Sequence, residues 1–165
     1  MALDGRSVGV TGARKGAELV AALQRRGARV VHGPTVAGDV PVDDAEVLAA
    51  TDEVVAASPR WLVASTGVGV RRWFEVADAH GRGEALRAAA AAATSLARGA
   101  KATGGLAALQ VRPSWTAPSQ TDAEVAAHLA TRVTAGEAVA VQLHGAGDLT
   151  PYRPVAEAGG RLLPS

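Results

Sequence analysis

Short aliphatic runs alternate along the whole chain with longer stretches in which apolar residues recur at helical spacing. The short runs predict strands buried in a sheet, and the longer stretches predict helices. The predicted strands span residues 7–11, 29–32, 61–65, 94–98, 114–116, 138–143 and 161–163. The predicted helices span residues 15–26, 43–57, 70–79, 83–93, 101–109, 121–133 and 149–158. This alternation predicts an α/β fold, with a parallel sheet covered by helices on both faces.

Two local signals refine this outline. Glycine and proline punctuate residues 33–41, which is typical of a connection rather than of a helix or strand. This stretch is either an ordinary loop or a linker between two lobes, and the residues alone leave both interpretations open. Thr121 and Glu124 have the spacing of a capping box, which predicts that a helix begins there.

Composition and charge narrow the class of protein. Hydrophobic residues make up 48% of the 165 residues and charged residues 20%, which suits one globular domain of ordinary size. The formal net charge of +1, without a long basic run, argues against a nucleic-acid partner. The chain has no cysteine, which excludes disulfides and thiolate chemistry. Neither a signal peptide nor a membrane span is predicted, so we expect a cytoplasmic protein with no membrane partner.

The turns that follow four of the predicted strands share a glycine beside a hydroxyl, a cation or an imidazole. In a parallel sheet these turns lie along one edge, where ligands bind. Glycine admits a ligand close to the backbone, and helix N-termini offer unpaired N–H groups, so the edge suits a ligand with several carboxylates or phosphates. The alternative is that these residues, His144 included, only form tight turns. The turns are Thr11-Gly12-Ala13-Arg14-Lys15, Ser65-Thr66-Gly67-Val68-Gly69, Arg98-Gly99-Ala100-Lys101 and His144-Gly145-Ala146-Gly147.

Two more specific motifs fail on individual residues. Residues 10–18 are similar to the dinucleotide-binding turn of short-chain dehydrogenases, but Glu18 stands where the last glycine is required, and a carboxylate there would repel a pyrophosphate. The Tyr-Lys pair of such enzymes is also missing, since Ala156 follows Tyr152 at that spacing. The four histidines lack metal-ligand spacing and Ser65 lies in no nucleophile elbow, so no metal site and no hydrolase triad is predicted.

Four segments, in this order and spacing, resemble the uroporphyrinogen-III synthase family, most closely its actinobacterial form. The resemblance covers nearly the whole chain. The segments are VGVTGARKGAELVAALQRRGARVV, WLVASTGVGVRRWFEVADAHG, LARGAKATGGL and VAVQLHG.

The resemblance implies two flavodoxin-like α/β lobes joined by a linker, with the active site between them. Residues 1–35 would then form the opening β-α-β part of an incomplete first lobe. Residues 36–41 would be the linker, and residues 42–165 a complete second lobe. The resemblance also implies cyclisation of the linear tetrapyrrole hydroxymethylbilane with inversion of its last pyrrole ring, without cofactor or metal. This is a step of heme biosynthesis that depends mainly on positioning the substrate.

The resemblance and the glycine-rich turns together predict which residues hold the polyanionic substrate. Thr66 corresponds to a Ser or Thr of the family that would donate to a substrate carboxylate, and the turn at 99–103 matches the family only loosely. No catalytic residue is predicted. The predicted substrate-binding residues are Thr11, Arg14, Thr66, Gly67, Gly99, Lys101, Thr103, His144 and Gly145.

The chain also departs from the family. Family members run well past 165 residues, and the tyrosine thought to assist loss of the substrate hydroxyl has no counterpart, since Tyr152 precedes its place. The first lobe would be completed by self-association or by a missing C-terminal segment, because its strand edges would otherwise stay open. One alternative function is a non-catalytic tetrapyrrole- or anion-sensing module derived from the family. Another is an unrelated flavodoxin-like regulatory domain.

Overall fold

The computed structural model describes residues 3–13, 15–34, 43–143 and 147–165. The chain divides into two compact units, Met1–Pro41 and Val42–Ser165. In the first unit, β1 (Ser7–Val10) leads through α1 (Gly16–Gln24) to β2 (Arg29–His32). β1 and β2 pair in parallel as a two-stranded sheet. The predicted linker at residues 36–41 lies outside the described residues.

The second unit is built from alternating strands and helices. Its strands are β3 (Trp61–Ala64), β4 (Thr94–Ala97), β5 (Trp115–Thr116), β6 (Ala138–Gln142) and β7 (Arg161–Pro164). Its helices are α2 (Asp44–Ala57), α3 (Gly67–Ala79), α4 (Gly83–Ala92), α5 (Ala100–Ala108), α6 (Asp122–Ala130) and α7 (Arg153–Glu157), with a 3₁₀ turn at Thr150–Tyr152 before α7. No helix in the described ranges combines the length and the apolar character that crossing a bilayer requires.

The strands of the second unit form one parallel five-stranded sheet in the order β5-β4-β3-β6-β7. The predicted α/β fold with a parallel sheet is therefore confirmed. If the strands are numbered from β3 onward, their order in the sheet is 3-2-1-4-5, whereas the order in flavodoxin is 2-1-3-4-5. The second unit therefore resembles flavodoxin in having a parallel sheet between two layers of helices, and differs from it in strand order. β3 is central and all of its residues are buried, as its continuous apolar run predicts.

Each face of the five-stranded sheet has its own core. Leu62 and Ala64 of β3 point into one core, which is closed by α2, α3, α4 and α5. Trp61 and Val63 point into the other, which is closed by α6, the 3₁₀ turn and α7. This alternation is the period of two that a strand imposes on its side chains, and it gives the doubly covered sheet.

Side-chain caps explain where several helices begin. The Thr66 hydroxyl accepts the Gly69 N–H at 3.0 Å, so α3 begins at Gly67 and not at residue 70 as the sequence predicts. The Thr121 hydroxyl accepts the Glu124 N–H at 3.3 Å, which is one half of the predicted capping box. The other half is wrong: the Glu124 carboxylate accepts the Ser119 N–H at 2.7 Å and not the N–H of Thr121.

The predicted helix at 149–158 is broken in the structure. A 3₁₀ turn occupies Thr150–Tyr152, and only Arg153–Glu157 is α-helical. The physical reason lies in Pro151 and Pro154, which lack the N–H that a continuous helix would use. Asp148 accepts the Thr150 N–H at 2.7 Å and so fixes the start of the turn.

Candidate functional site

The carboxyl edge of the five-stranded sheet is the candidate site. Ala64 and Ala97, the last residues of β3 and β4, are register partners, so the two strands end side by side. β6 pairs with the other side of β3, and the order of the strands therefore reverses at β3. In open parallel sheets the crevice at such a reversal is the ordinary ligand site. The residues that directly follow β3 and β4 lie at this crevice.

Thr66 lies at the centre of the edge. Its backbone N–H donates to Gln142 Oε1 at 3.1 Å, which ties the loop after β3 to the end of β6. Gln142 is buried, and its Nε2 donates to the Leu143 carbonyl. Among the described residues the half-buried Thr66 hydroxyl accepts a hydrogen bond and donates none, so its hydrogen remains available to a ligand acceptor.

Gly67 is explained by helix packing. A Cβ at this position would lie 2.2 Å from the Lys101 carbonyl oxygen, and one at Gly105 would lie 2.8 Å from the Gly67 Cα. α3 and α5 therefore approach one another through backbone atoms, which only glycine permits. This packing brings the N-termini of both helices to the same edge.

The predicted residues after β4 lie at this edge too, but they differ in what they can offer. Gly99 has an extended backbone, and a Cβ there would lie 2.9 Å from Gln120 Oε1. The Thr103 hydroxyl donates to the Gly99 carbonyl at 3.2 Å and lies 3.1 Å from Thr116 Oγ1, so it is engaged within the protein. Lys101 is exposed in the first turn of α5, and no ion pair within the described residues involves it.

Of the four other predicted residues, the described part of the chain includes Thr11 alone. Thr11 is exposed at the carboxyl end of β1 in the first unit. In the same turn the Gly12 carbonyl lies 3.2 Å from His32 Nε2, and a Cβ at Gly16 would lie 2.5 Å from that nitrogen. Arg14, His144 and Gly145 lie outside the described residues. The structure thus brings Thr66, Gly67, Gly99, Lys101 and Thr103 together at one edge.

A cluster around Asp122 was missed by the sequence reasoning. Asp122 Oδ1 accepts the Ser65 hydroxyl at 3.0 Å and the Tyr152 hydroxyl at 2.9 Å. Asp122 Oδ2 accepts an N–H from Arg98 Nη1 at 3.0 Å. Each member follows a different strand: Ser65 follows β3, Arg98 follows β4, Asp122 follows β5 and Tyr152 follows β6. We call these four residues the Asp122 cluster.

Burial decides what the Asp122 cluster can do chemically. Tyr152 is completely buried, and burial together with the Asp122 carboxylate raises the pKa of its hydroxyl above the ordinary value. Tyr152 therefore stays protonated and donates to Asp122. Arg98 and Asp122 remain partly accessible, with 33% and 26% of their side chains exposed. The Asp122 cluster is thus hydrogen-bonded to buried residues on one side, and its one cation, Arg98, is partly exposed to solvent.

The charges of the edge favour an anion. Arg98 and Lys101 follow β4, and Arg71 Nη1 lies 3.5 Å from the place of a Cβ on Gly67, beside the start of α3. The partial positive charges at the N-termini of α3 and α5 add to these cations. Within the described ranges, no three His, Asp or Glu side chains are grouped to hold a metal ion. Fold and site together define a doubly wound α/β unit whose carboxyl edge gathers cations and helix N-termini.

The comparisons with known proteins name the family. The model of the family described as uroporphyrinogen-III synthase HemD matches residues 17–150, which is most of the chain. The chain belongs to the uroporphyrinogen-III synthase HemD family, as the resemblance of the four segments implies. No protein among the curated sequences matches it.

Solved structures agree with the family. A mutant uroporphyrinogen III synthase from the extremely thermophilic bacterium Thermus thermophilus is 26% identical, with a TM-score of 0.77, over 98% of this chain and 61% of that one. The wild-type enzyme of the same bacterium is 28% identical, with a TM-score of 0.70, over 97% of this chain and 60% of that one. The chain thus spans about three fifths of the length of these synthases.

Proposed function

We propose that the chain acts as a uroporphyrinogen-III synthase of the actinobacterial type in the cytoplasm. It would cyclise hydroxymethylbilane with inversion of the last pyrrole ring, without a cofactor. The observation that carries this proposal is the family match over residues 17–150. The carboxyl edge of the five-stranded sheet supports it, because its donors and cations suit a substrate with many carboxylates.

The edge would act by positioning the substrate. Loss of the terminal hydroxyl from hydroxymethylbilane gives an azafulvenium cation, which attacks the substituted position of its own ring to form a spiro intermediate. Fragmentation and recombination then invert that ring. Thr66, Lys101 and the N-terminal amides of α3 and α5 would hold acetate and propionate groups, so that the folded substrate closes in this way rather than directly. We propose the same binding role for Thr11, Arg14, Gly67, Gly99, Thr103, His144 and Gly145.

The first unit exposes apolar side chains that a further part of the protein or a second copy would cover. Leu19 of α1 is 50% exposed and Val31 of β2 is 65% exposed. Exposed apolar side chains in a unit with only a two-stranded sheet favour further strands or a second copy of the chain as a cover. We propose that self-association or a further C-terminal segment completes a lobe here, and that residues 36–41 link it to the lobe formed by residues 42–165.

The test is an isomer analysis of the product. Hydroxymethylbilane is incubated with and without the protein, and the porphyrins obtained after oxidation are separated into isomers I and III. We expect isomer III to appear only with the protein. Isomer I alone, in the same amount as in buffer, would contradict the proposed activity.

A second candidate function is a non-catalytic module that senses a tetrapyrrole or a similar anion. The observation that favours it is the state of Tyr152, which is completely buried and donates to Asp122. Its hydroxyl is therefore not available to assist loss of the substrate hydroxyl. Tight binding of uroporphyrin III without formation of isomer III would select this candidate.

A further inference from the structure

The guanidinium of Arg98 uses one of its nitrogens, Nη1, in a hydrogen bond within the described residues. Nη1 donates to Asp122 Oδ2 at 3.0 Å, and within the described part of the chain this is the side chain's one hydrogen bond. An arginine carries five N–H donors in a planar fork, and a carboxylate can take two of them side by side. Since a third of the Arg98 side chain is exposed, the remaining donors are accessible from outside.

Asp122 is itself unusually well fixed. The Ser65 and Tyr152 hydroxyls both donate to its Oδ1, and these two residues are 5% and 0% exposed. A carboxylate that only neutralised Arg98 at the surface would not need two buried donors on its other oxygen. The bonds from Ser65 and Tyr152 leave Oδ2 directed at Arg98, so the position of the guanidinium is set before any ligand arrives.

The place of Arg98 fits a ligand at the carboxyl edge. Its backbone N–H donates to the Ala64 carbonyl at 2.9 Å, so it lies beside the end of β3, and Thr66 comes two residues after Ala64. It precedes Gly99, where α5 begins one residue later, and Lys101 lies in the first turn of that helix. The backbone of Arg98 therefore lies at the same carboxyl edge as the loop that carries Thr66 and the helix start that carries Lys101.

We propose that Arg98 binds a carboxylate of the ligand and that Asp122 is the positioning residue that holds Arg98 for this purpose. The proposal rests on the proposed function in one respect, which is that the ligand is a tetrapyrrole polycarboxylate. It assigns a ligand-binding role to Arg98, which belongs to one of the glycine-rich turns but is not among the substrate-binding residues predicted from the sequence. It also gives a reason why three strand-to-helix connections each place a polar side chain on the carboxylate that a fourth connection supplies.

The experiment measures the dissociation constant of uroporphyrin III, an octacarboxylate, together with the isomer III assay, on the full chain. We expect Arg98→Gln to weaken binding about tenfold to a hundredfold, the ordinary effect of losing a hydrogen bond to a charged group. Arg98→Lys should recover part of the affinity, because it keeps the charge but not the fork. Asp122→Asn should weaken binding by a smaller factor while Arg98 is still present. Arg82→Gln is the matched control, since Arg82 also pairs with an aspartate, Asp52, at 2.8 Å.

The outcomes separate the proposal from the proposed function. Weaker binding in Arg98→Gln with unchanged binding in Arg82→Gln supports the role of Arg98, whether or not isomer III is formed. Unchanged binding in Arg98→Gln and Asp122→Asn, with lower melting temperatures, would overturn it and leave a purely structural ion pair. A wild-type chain that binds uroporphyrin III but makes no isomer III contradicts only the synthase activity. A wild-type chain that neither binds nor reacts overturns both.

Discussion

At the scale of single residues, the molecule depends on a small number of polar side chains buried with a defined partner. Trp73 Nε1 donates to the Thr51 hydroxyl at 2.8 Å, and that hydroxyl donates to the Val47 carbonyl at 2.7 Å. Thr51 is completely buried inside α2. A buried donor without its acceptor costs more than the bond itself contributes, so this pair fixes how α3 packs on α2.

Thr51→Val tests this pair. The change keeps the size of the side chain but leaves the Trp73 indole N–H without an acceptor, so we expect a loss of about 1–3 kcal/mol in the free energy of unfolding. Thermal and urea unfolding measure it. Thr51→Ser is the control, because it keeps the hydroxyl and should cost much less. Equal stability of the valine and serine variants would contradict the role of the bond.

Thr66 combines a structural and a binding role in one hydroxyl. Thr66→Ala removes the cap of α3, which costs about 1 kcal/mol of stability, and it removes the donor proposed for a ligand carboxylate. We expect weaker binding of uroporphyrin III, measured by fluorescence titration, in addition to the lower melting temperature. Thr66→Ser keeps both functions of the hydroxyl. Binding that is unchanged in Thr66→Ala would leave the residue with its capping role alone.

At the scale of elements, the contact of α3 with α5 determines the shape of the edge. The two helices meet through Gly67 and Gly105, where a Cβ would collide with backbone atoms that cannot move aside. This close approach is the reason why the N-termini of α3 and α5 share one edge. Glycine is unfavourable inside a helix, so its presence at both positions reflects packing and not helix propensity.

Two neighbouring glycines of α5 give a matched comparison. A Cβ at Gly105 would lie 2.8 Å from the Gly67 Cα, whereas a Cβ at Gly104 would have no neighbour within 4 Å. We expect Gly105→Ala to lower the melting temperature and to weaken binding at the edge, because the helices must separate. Gly104→Ala should raise the free energy of unfolding by about 0.5–1 kcal/mol. Similar effects of both substitutions would show that the helices do not pack in this way.

The elements also show what a sequence can and cannot predict. β3 was predicted from one apolar run, and all four positions Trp61–Ala64 are buried because a central parallel strand has no exposed face. The break of the last helix was missed, because apolar periodicity outweighed Pro151 and Pro154. The Asp122 cluster could not be predicted, since Ser65 and Asp122 are 57 residues apart and an aspartate at a helix start has an ordinary local explanation.

At the scale of the whole molecule, the cores and the edge belong to the second unit. Both hydrophobic clusters consist of residues from 42–165. The five-stranded sheet has helices on both faces without help from the first unit. Of the exposed large apolar residues, Leu19 and Val31 belong to the first unit and Val68 belongs to the second.

The second unit should therefore fold by itself. We expect a chain of residues 42–165 to unfold in one cooperative transition, with the circular dichroism of an α/β protein, because its cores lose no member. The matching piece of residues 1–41 should show no cooperative transition, since a β-α-β fragment buries too little apolar surface. Loss of cooperative unfolding from residues 42–165 would contradict this division.

Alkaline pH should weaken the whole fold through Tyr152. Burial and Asp122 raise the pKa of Tyr152 above 10.0 in the folded protein. Tyrosine in the unfolded chain ionises at a lower pH than Tyr152 in the folded protein. This contribution to stability is therefore complete below about pH 10 and is lost as the pH rises through the pKa of Tyr152 in the folded state. Tyr152→Phe should be less stable than the wild type at pH 7, by about 1.5–3 kcal/mol. The difference should shrink as urea unfolding is repeated toward pH 11, and a difference independent of pH would contradict the shift.

The central place of β3 has a consequence for how the protein is made. β3 is the first strand of its sheet to leave the ribosome, yet its partners β4 and β6 begin only at Thr94 and Ala138. Both hydrogen-bonding edges of this apolar strand stay unpaired until β4 and β6 are synthesised, and translation adds about 5–20 residues each second. The nascent chain therefore carries an unpaired apolar strand for several seconds. We expect newly made protein to depend on chaperones during that interval.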